Sequence, residues 1–162
     1  MPKVVCNSSV LIHLAKIDKL ELLQKFYEKI FIPQAVYREV VIEGESKPEI
    51  KLIKNANWIE VVNIKDDKLV NLLNLDLDLG ESESIVLGLE LKADLILLDD
   101  HEARMKAKTF GLKVAGTLGV LLLAKYKGQI ESLKNEIEKL KSAGFWIKED
   151  LVKRVLREVG EE

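Results

Sequence analysis

Short apolar runs alternate with stretches of helical periodicity along most of this chain. Residues 3–6 form an apolar run typical of a buried strand, and residues 7–9 are Asn and Ser, which favour helix starts. The succession of strand and helix then recurs, with further strands predicted at residues 29–32, 58–62, 94–98 and 113–115. This alternation predicts a mainly parallel, twisted sheet with helices on both faces, which is a three-layer α/β/α architecture.

The length and composition of the chain are those of one folded domain. The chain has 162 residues, of which 48% are hydrophobic and 32% are charged, a balance that excludes a disordered protein. The prolines and glycines fall singly between apolar runs, so no linker is predicted. We expect a single domain over residues 1–162, with a core over about residues 1–128 and a C-terminal helical extension over residues 129–162.

Charge and cysteine content narrow the function classes. A formal net charge of −2 provides no overall positive field, so a polyanion would need a local basic patch. Cys6 is the only cysteine, which excludes an intramolecular disulfide and a cysteine-based zinc site, and we expect a small buried hydrophobe there. Because the chain has no signal-peptide pattern and no apolar run near about 20 residues, a cytoplasmic protein without a membrane partner is expected.

Polar side chains cluster where the predicted strands end. In open parallel sheets, ligands bind beyond the carboxyl ends of the strands, where loops and helix starts meet. A helix predicted at residues 81–91, after Gly80, and a helix carrying Val36 and Val40 bring two further acids toward this edge. The candidate site residues are Asn7, Glu39, Glu81, Asp99, Asp100 and Thr117.

Several carboxylates in one cleft repel each other and are costly to bury. A hard cation such as Mg²⁺ or Mn²⁺ relieves both costs, and a water polarised by such an ion can hydrolyse a phosphodiester. Each candidate also has a structural interpretation. These are a helix cap for Asn7, Asp99 or Asp100, a first-turn acid near the helix dipole for Glu81, and a solvated surface acid for Glu39.

Five short segments, taken together, resemble the PIN domain, a family of Mg²⁺/Mn²⁺-dependent ribonucleases. The resemblance is to the branch of largely uncharacterised bacterial and archaeal PIN-like proteins, and it runs over about residues 4–127. The segments occur in the family's order. They are residues 4–12 (VVCNSSVLI), 32–40 (IPQAVYREV), 79–85 (LGESESI), 95–100 (LILLDD) and 116–120 (GTLGV).

The resemblance implies a metal site built from three or four acids. Glu39, Glu81 and Asp99 match the family's second, third and fourth acids, with Asp100 close by. The first acid, an Asp in active members, falls on Asn7 in this chain. An amide oxygen can still ligate a hard cation but brings no charge, so weaker metal binding is expected.

The resemblance also implies supporting hydroxyl groups, a substrate, a partner and an oligomeric state. Its hydroxyl positions, which orient the site or its water, fall on Ser9 and Thr117. Active relatives often act as toxins that cleave RNA until a small antitoxin covers the site, and they commonly dimerise. The resemblance therefore implies an RNA substrate, a small antitoxin partner and a homodimer. The apolar helix predicted over residues 118–123 also favours an oligomer.

The first functional hypothesis is a metal-dependent endoribonuclease that cleaves single-stranded RNA. Its catalytic residues would be Glu39, Glu81 and Asp99. RNA would be steered by a basic face, for which a merely solvated face is the alternative. This face consists of Arg104, Lys106 and Lys108.

Three further residues near these motifs receive mainly structural interpretations. His101 could assist proton transfer but is also compatible with a bystander role. His13 lies among apolar residues and is expected to pack there. Glu83 points away from the helix face that carries Glu81, so a structural role is expected for it.

Two other functions compete with the nuclease hypothesis. A PIN-shaped module that has lost catalysis and binds RNA or a protein partner is favoured by Asn7. A receiver-like phosphoacceptor is suggested by Asp99, Asp100 and Thr117 at the ends of neighbouring strands. In receiver domains, however, the paired acids follow the first strand, so the order in this chain disagrees with that fold.

Overall fold

A five-stranded parallel sheet forms the centre of the computed structural model, which describes residues 2–44 and 46–162. The strands are β1 (Val4–Cys6), β2 (Ile30–Pro33), β3 (Ile59–Val62), β4 (Leu95–Leu97) and β5 (Val114–Ala115). Their order is β3-β2-β1-β4-β5, so β1 is central and the order reverses between β1 and β4. Val5 lies opposite Phe31 on one side and Ile96 on the other. The predicted parallel sheet is confirmed.

Helices connect these strands in sequence. The first four are α1 (Ser8–Lys16), α2 (Glu21–Tyr27), α3 (Gln34–Tyr37), which continues into a π-helix (Arg38–Ile42), and α4 (Ile50–Lys54). They are followed by α5 (Asp67–Leu73), α6 (Leu79–Glu90), α7 (His101–Thr109) and α8 (Thr117–Tyr126). The C-terminal pair is α9 (Leu133–Ser142) and α10 (Glu149–Glu158).

The two faces of the sheet bury separate hydrophobic clusters. In β1, Val4 and Cys6 point into the cluster that contains α1, α2, α8, α9 and α10. Val5, between them, points into the second cluster with α5, α6 and α7. Because side chains alternate along a strand, this arrangement gives the three layers that the sequence predicts. Cys6 is fully buried, as expected, and burial raises the pKa of its thiol well above the ordinary value.

Two helices differ from the prediction. The helix α6 begins at Leu79 rather than after Gly80, because Asp78 caps it and thereby moves its start two residues earlier. The helix α5 is not among the predicted elements; it is only seven residues long and starts at the capping residue Asp66.

The C-terminal helices pack onto the same cluster as the sheet. Leu133, Ile137 and Val152 are buried together with Val4. The N-terminus of α9 is held by Glu161, which accepts hydrogen bonds from the backbone N–H groups of Leu133 and Lys134 and from the Ser132 hydroxyl. Burial acts to raise the pKa of Glu161, but these donors outweigh it and lower the pKa to about 2.

The apolar helix α8 is largely used within the chain. Val120, Leu121 and Ala124 are buried in the first cluster, and Leu118 and Leu122 pack against it. Much of its apolar composition is therefore explained by packing against the neighbouring helices. Among the described helices, none is long and apolar enough to cross a membrane.

Candidate functional site

Polar side chains from both halves of the sheet line one cleft at the carboxyl ends of the strands. The cleft lies where the strand order reverses, the place at which open parallel sheets bind ligands. It has a volume of about 330 Å³. Its lining includes the predicted residues Asn7, Ser9, Glu39, Glu81, Asp99 and Asp100, together with Ser8, His13, Asp78, Gly144, Phe145 and Trp146.

Glu39 reaches the cleft from the π-helix that follows α3. A π-helix widens the backbone by one residue per turn, and such turns occur frequently at functional sites. The Ser8 hydroxyl donates a hydrogen bond of 2.6 Å to Glu39 Oε2. Burial raises the pKa of Glu39, while the bond from Ser8 partly offsets this rise. Glu39 is thus a fixed, half-buried carboxylate and differs from the solvated surface acid of the structural interpretation.

Glu81 combines a structural role with an unusual protonation equilibrium. It forms a capping box with Asp78, whose Oδ1 accepts from Glu81 N at 2.7 Å, while Asp78 N donates to Glu81 Oε1 at 3.1 Å. Burial raises the pKa of Glu81 to about 7. The Asp78 N–H acts against this, and the nearby carboxylates of Asp78, Asp100 and Glu39 add to it. Glu81 is therefore a first-turn acid, as its structural interpretation has it, but that role does not explain its raised pKa.

Three side-chain oxygens converge above Gly80. A Cβ atom at this position would lie 2.9 Å from Glu39 Oε2, 3.5 Å from Asn7 Oδ1 and 3.6 Å from Asp78 Oδ1. Only a residue without a side chain leaves this space open. The oxygens come from three separate parts of the chain, so the fold itself brings them together around a common point.

Asn7 does not act as the helix cap that its position suggests. Its backbone has the extended conformation of an N-cap, yet within the described residues no N–H of α1 donates to its side chain. The side chain is 4% exposed, and its Oδ1 lies 3.4 Å from the hydroxyl of Ser84, which donates mainly to the Gly80 carbonyl at 2.7 Å. The amide oxygen of Asn7 therefore remains directed at the cleft.

Asp99 is held by three donors. Thr117 donates from its backbone N–H to Oδ1 and from its hydroxyl to Oδ2, both at 2.7 Å. His13 Nδ1 lies 2.9 Å from the same Oδ2. Gly116 is required here because a Cβ would lie only 2.7 Å from Asp99 Oδ1. His13 packs against an aromatic ring, as expected, but its own ring also engages a carboxylate 86 residues away, which the sequence did not indicate.

Asp100 has a helix-capping role. The Ala103 N–H donates to Asp100 Oδ2 at 3.0 Å at the start of α7. Asp100 is exposed and lines the cleft, so one of its oxygens caps while the carboxylate still adds negative charge near Glu81. The capping interpretation thus describes Asp100 better than Asp99.

The three residues of the predicted basic face of α7 lie in different surroundings. Arg104 lines a groove next to the cleft together with Asp99. Lys106 lies 3.6 Å from Asp76 and pairs with it, and Lys108 is exposed. Both lysines lie outside the cleft lining formed by the described residues.

The cleft is closed on one side by a segment that the sequence did not point to. Gly144, Phe145 and Trp146 connect α9 to α10 and form part of the lining. The ring of Phe145 packs against His13, with centroids 4.2 Å apart and planes at 54°. The C-terminal helices therefore contribute to the cleft as well as to the core.

Of the lining residues that the prediction omitted, Asp78 had a readable signal in the sequence. Asp78 and Glu81 have the spacing of a capping box just before an apolar run. The remaining lining residues are brought in by long-range packing, which no local pattern in the sequence indicates. These are Ser8, His13, Gly144, Phe145 and Trp146.

The oxygens above Gly80 have the right chemistry for a hard divalent cation. Carboxylate and amide oxygens are the ligands that Mg²⁺ and Mn²⁺ prefer. In the part of the chain that the structure describes, no three Asp, Glu, His or Cys side chains are arranged to hold a metal ion. Because Mg²⁺ keeps several waters when bound, a partial shell that includes an amide oxygen is compatible with binding.

The raised pKa of Glu81 predicts how the metal-free protein responds to pH. Glu81 binds a proton more tightly when folded (pKa about 7) than at its ordinary value of 4.5. Its contribution to stability is therefore fully present below about pH 4.5 and is lost as the pH rises through about 7. Glu81→Gln stays uncharged, so in EDTA its melting temperature relative to wild type should be higher at pH 8 than at pH 5. An equal difference at both pH values would contradict the raised pKa.

Comparison with known proteins agrees with this architecture. No curated protein matches the chain by sequence. A family model described as a PIN domain matches residues 3–161, which is nearly the whole chain and includes every element of the sheet and the cleft. The parallel sheet, its helical layers and this match lead to one conclusion: the chain belongs to the PIN domain family.

Proposed function

We propose that this protein is a Mg²⁺- or Mn²⁺-dependent endoribonuclease. The PIN fold is of a nuclease type, and PIN domains generally use divalent metal ions. The observation that carries the proposal is the convergence of Glu39, Asn7 and Asp78 oxygens above Gly80, beside a carboxyl with a pKa of about 7. Perturbed acids in a cleft at the ends of parallel strands are typical of a catalytic site.

In the proposed site, Asn7, Glu39 and Glu81 would hold the ion, and the other carboxylates of the lining, those of Asp78, Asp99 and Asp100, would support it. When bound, the ion would act as a Lewis acid that polarises a water and offsets charge on the phosphoryl oxygens. Because the pKa of Glu81 is raised to about 7, the carboxyl is partly protonated near neutral pH, and ion binding should release protons.

Neighbouring side chains would keep the acids in position. Ser8 fixes one oxygen of Glu39, and Thr117 fixes both oxygens of Asp99. Ser9 lines the cleft and is available to a bound water or phosphate. Such fixed donors avoid reorganisation during the reaction, which is where preorganised sites gain most of their rate.

The substrate that we propose is single-stranded RNA. Arg104 lines the groove beside the cleft, and Lys106 and Lys108 on the same helix would add to the local positive charge. We also propose a small antitoxin as the partner that covers the cleft, a homodimer as the assembly, and one domain over residues 1–162, of which residues 129–162 are the extension.

A second candidate is a PIN-shaped module that binds RNA or a protein without cleaving it. Asn7 favours this candidate because it removes one negative charge from the metal-binding oxygens. The saturation of Asp99 by Thr117 and His13 favours it too, since that carboxylate already has its donors.

The deciding experiment is an RNA cleavage assay with defined metal content. Wild-type protein is incubated with a mixed-sequence single-stranded RNA in Mn²⁺, in Mg²⁺ and in EDTA, and with DNA of the same sequence. We expect internal cleavage of RNA that needs the metal and is lost in EDTA. If the RNA stays intact in both metals although calorimetry shows that the RNA binds, the protein is the non-catalytic module and the nuclease proposal is wrong.

A further inference from the structure

Trp146 is the most unusual apolar side chain near the cleft. Its indole is 77% exposed, although it belongs to the short segment between α9 and α10 that closes the cleft. Because Trp146 lies beside further apolar side chains in the lining of one groove, its exposed surface belongs to a patch of the kind that binds ligands or partners.

The same segment also lines a second space. A groove of about 690 Å³ runs from the cleft between α8 and α10. It shares Asp99, Asp100, Phe145 and Trp146 with the cleft, so a ligand lying in one continues directly into the other. Trp146 is therefore placed at the junction of an acidic space and a largely apolar one.

The groove combines apolar walls with two cations. Leu118 and Leu122 of α8 face Leu151 of α10 across it. Arg104 and Lys148 also belong to the lining. Apolar walls suit the faces of nucleobases, and the two cations suit the phosphates that join them.

We propose that Trp146 stacks on a nucleobase of single-stranded RNA whose neighbouring phosphate lies in the acidic cleft, and that the groove receives the adjoining nucleotide. This inference rests on the proposed function, because it assigns the position of the substrate in that same cleft. Only an unpaired base can be splayed onto such a platform, so the arrangement selects single strands over duplexes. Stacking tolerates any base, so little sequence preference follows from it.

Arg104 supports this occupant over a protein partner. Its Nη1 would lie 3.4 Å from a Cβ on Gly116, so the guanidinium reaches the point where the groove meets Asp99. A cation at the junction with an acidic cleft can hold a phosphate group next to the one that the cleft accepts. An apolar helix of a protein would leave this charge without a matching group.

The test uses the fluorescence of Trp146 and does not depend on cleavage. The chain has two tryptophans, so Trp58→Phe leaves Trp146 as the only indole. A mixed-sequence ten-nucleotide RNA and its duplex are titrated into this variant in Ca²⁺, and again in EDTA, where the acids of the cleft repel phosphate and weaker binding is expected. We expect the single strand to quench the emission and the duplex to quench it much less.

Affinity is measured in parallel by anisotropy of a labelled RNA. Trp146→Ala should raise the Kd by roughly 5- to 150-fold, the range expected for one lost stacked base, while Trp146→Phe should retain most of the affinity. The matched control is Tyr126→Ala, an aromatic residue that is 60% exposed and lies outside both linings in the described part of the chain. Its Kd should equal that of wild type.

The outcomes separate this inference from the nuclease proposal. If RNA binds, quenches Trp146 and is not cleaved in Mn²⁺, the stacking platform stands and the nuclease falls. If RNA is cleaved but neither quenching nor a change in Kd is seen, the platform is overturned and the nuclease stands. If the emission of Trp146 changes with protein concentration but not with added RNA, a second copy of the chain covers Trp146. That result would also overturn the stacking platform.

Discussion

Glu81→Gln is expected to lower the rate of metal-dependent RNA cleavage by at least about 10²-fold. The variant removes the charge of a carboxylate that would hold the ion. It keeps the start of α6, because Gln can take the place of Glu in a capping box. The folded structure should therefore survive, and the loss should report the lost charge. The measurement is single-turnover cleavage at saturating and at limiting Mn²⁺.

A control for this variant lies on the same helix. Glu83 is two residues away, and its Oε1 accepts from the Ala35 N–H at 3.0 Å, a bond that Gln can also accept. Glu83→Gln should cleave RNA at the wild-type rate. If Glu81→Gln retains wild-type activity, or if both variants lose activity equally, Glu81 has no special part in the reaction.

Asn7→Asp should produce the opposite change. The substitution adds a carboxylate beside the oxygens of Glu39 and Asp78, and affinity for a hard cation rises with the number of charged ligands. We expect Mn²⁺ to bind about tenfold more tightly or better, and cleavage at limiting metal to rise accordingly. Calorimetric titration with Mn²⁺ and cleavage rates at limiting metal measure the two effects.

The same substitution should destabilise the metal-free protein. The side chain at this position is 4% exposed, so a new charge there is buried among other acids. A cost of about 1–3 kcal/mol in EDTA is expected, and Mn²⁺ should reverse it. Asn71→Asp, on the exposed surface of α5, is the control and should change neither metal binding nor stability appreciably. Equal effects of the two substitutions would remove Asn7 from the metal site.

The sequence predicts the fold and most of the cleft acids because both follow from topology. Asn7 and Asp99 follow buried strands within two residues, and the parallel arrangement of those strands brings them to one edge. The positions of Glu39 and Glu81 follow from the apolar face of each helix, because that face must pack on the sheet. These residues can be predicted because the position of each follows from the strand or helix beside it, and the apolar periodicity of the sequence locates those elements.

The side chains that hold these acids could not be predicted in the same way. His13 meets Asp99 across 86 residues, and Phe145 covers His13 from a segment outside the sheet. Such contacts depend on how the helices pack against each other, and the spacing of residues along the sequence does not predict that packing. The apolar character of α8 was similarly ambiguous, because a buried helix and a docking helix have the same composition.

The position of Phe145 and Trp146 has a consequence for how the protein is made. Every acid that lines the cleft lies before residue 101, whereas the wall that closes it lies after residue 143. During synthesis, the acids therefore leave the ribosome before the residues that complete the lining of the cleft. The cleft therefore acquires its full lining only once the segment between α9 and α10 is in place.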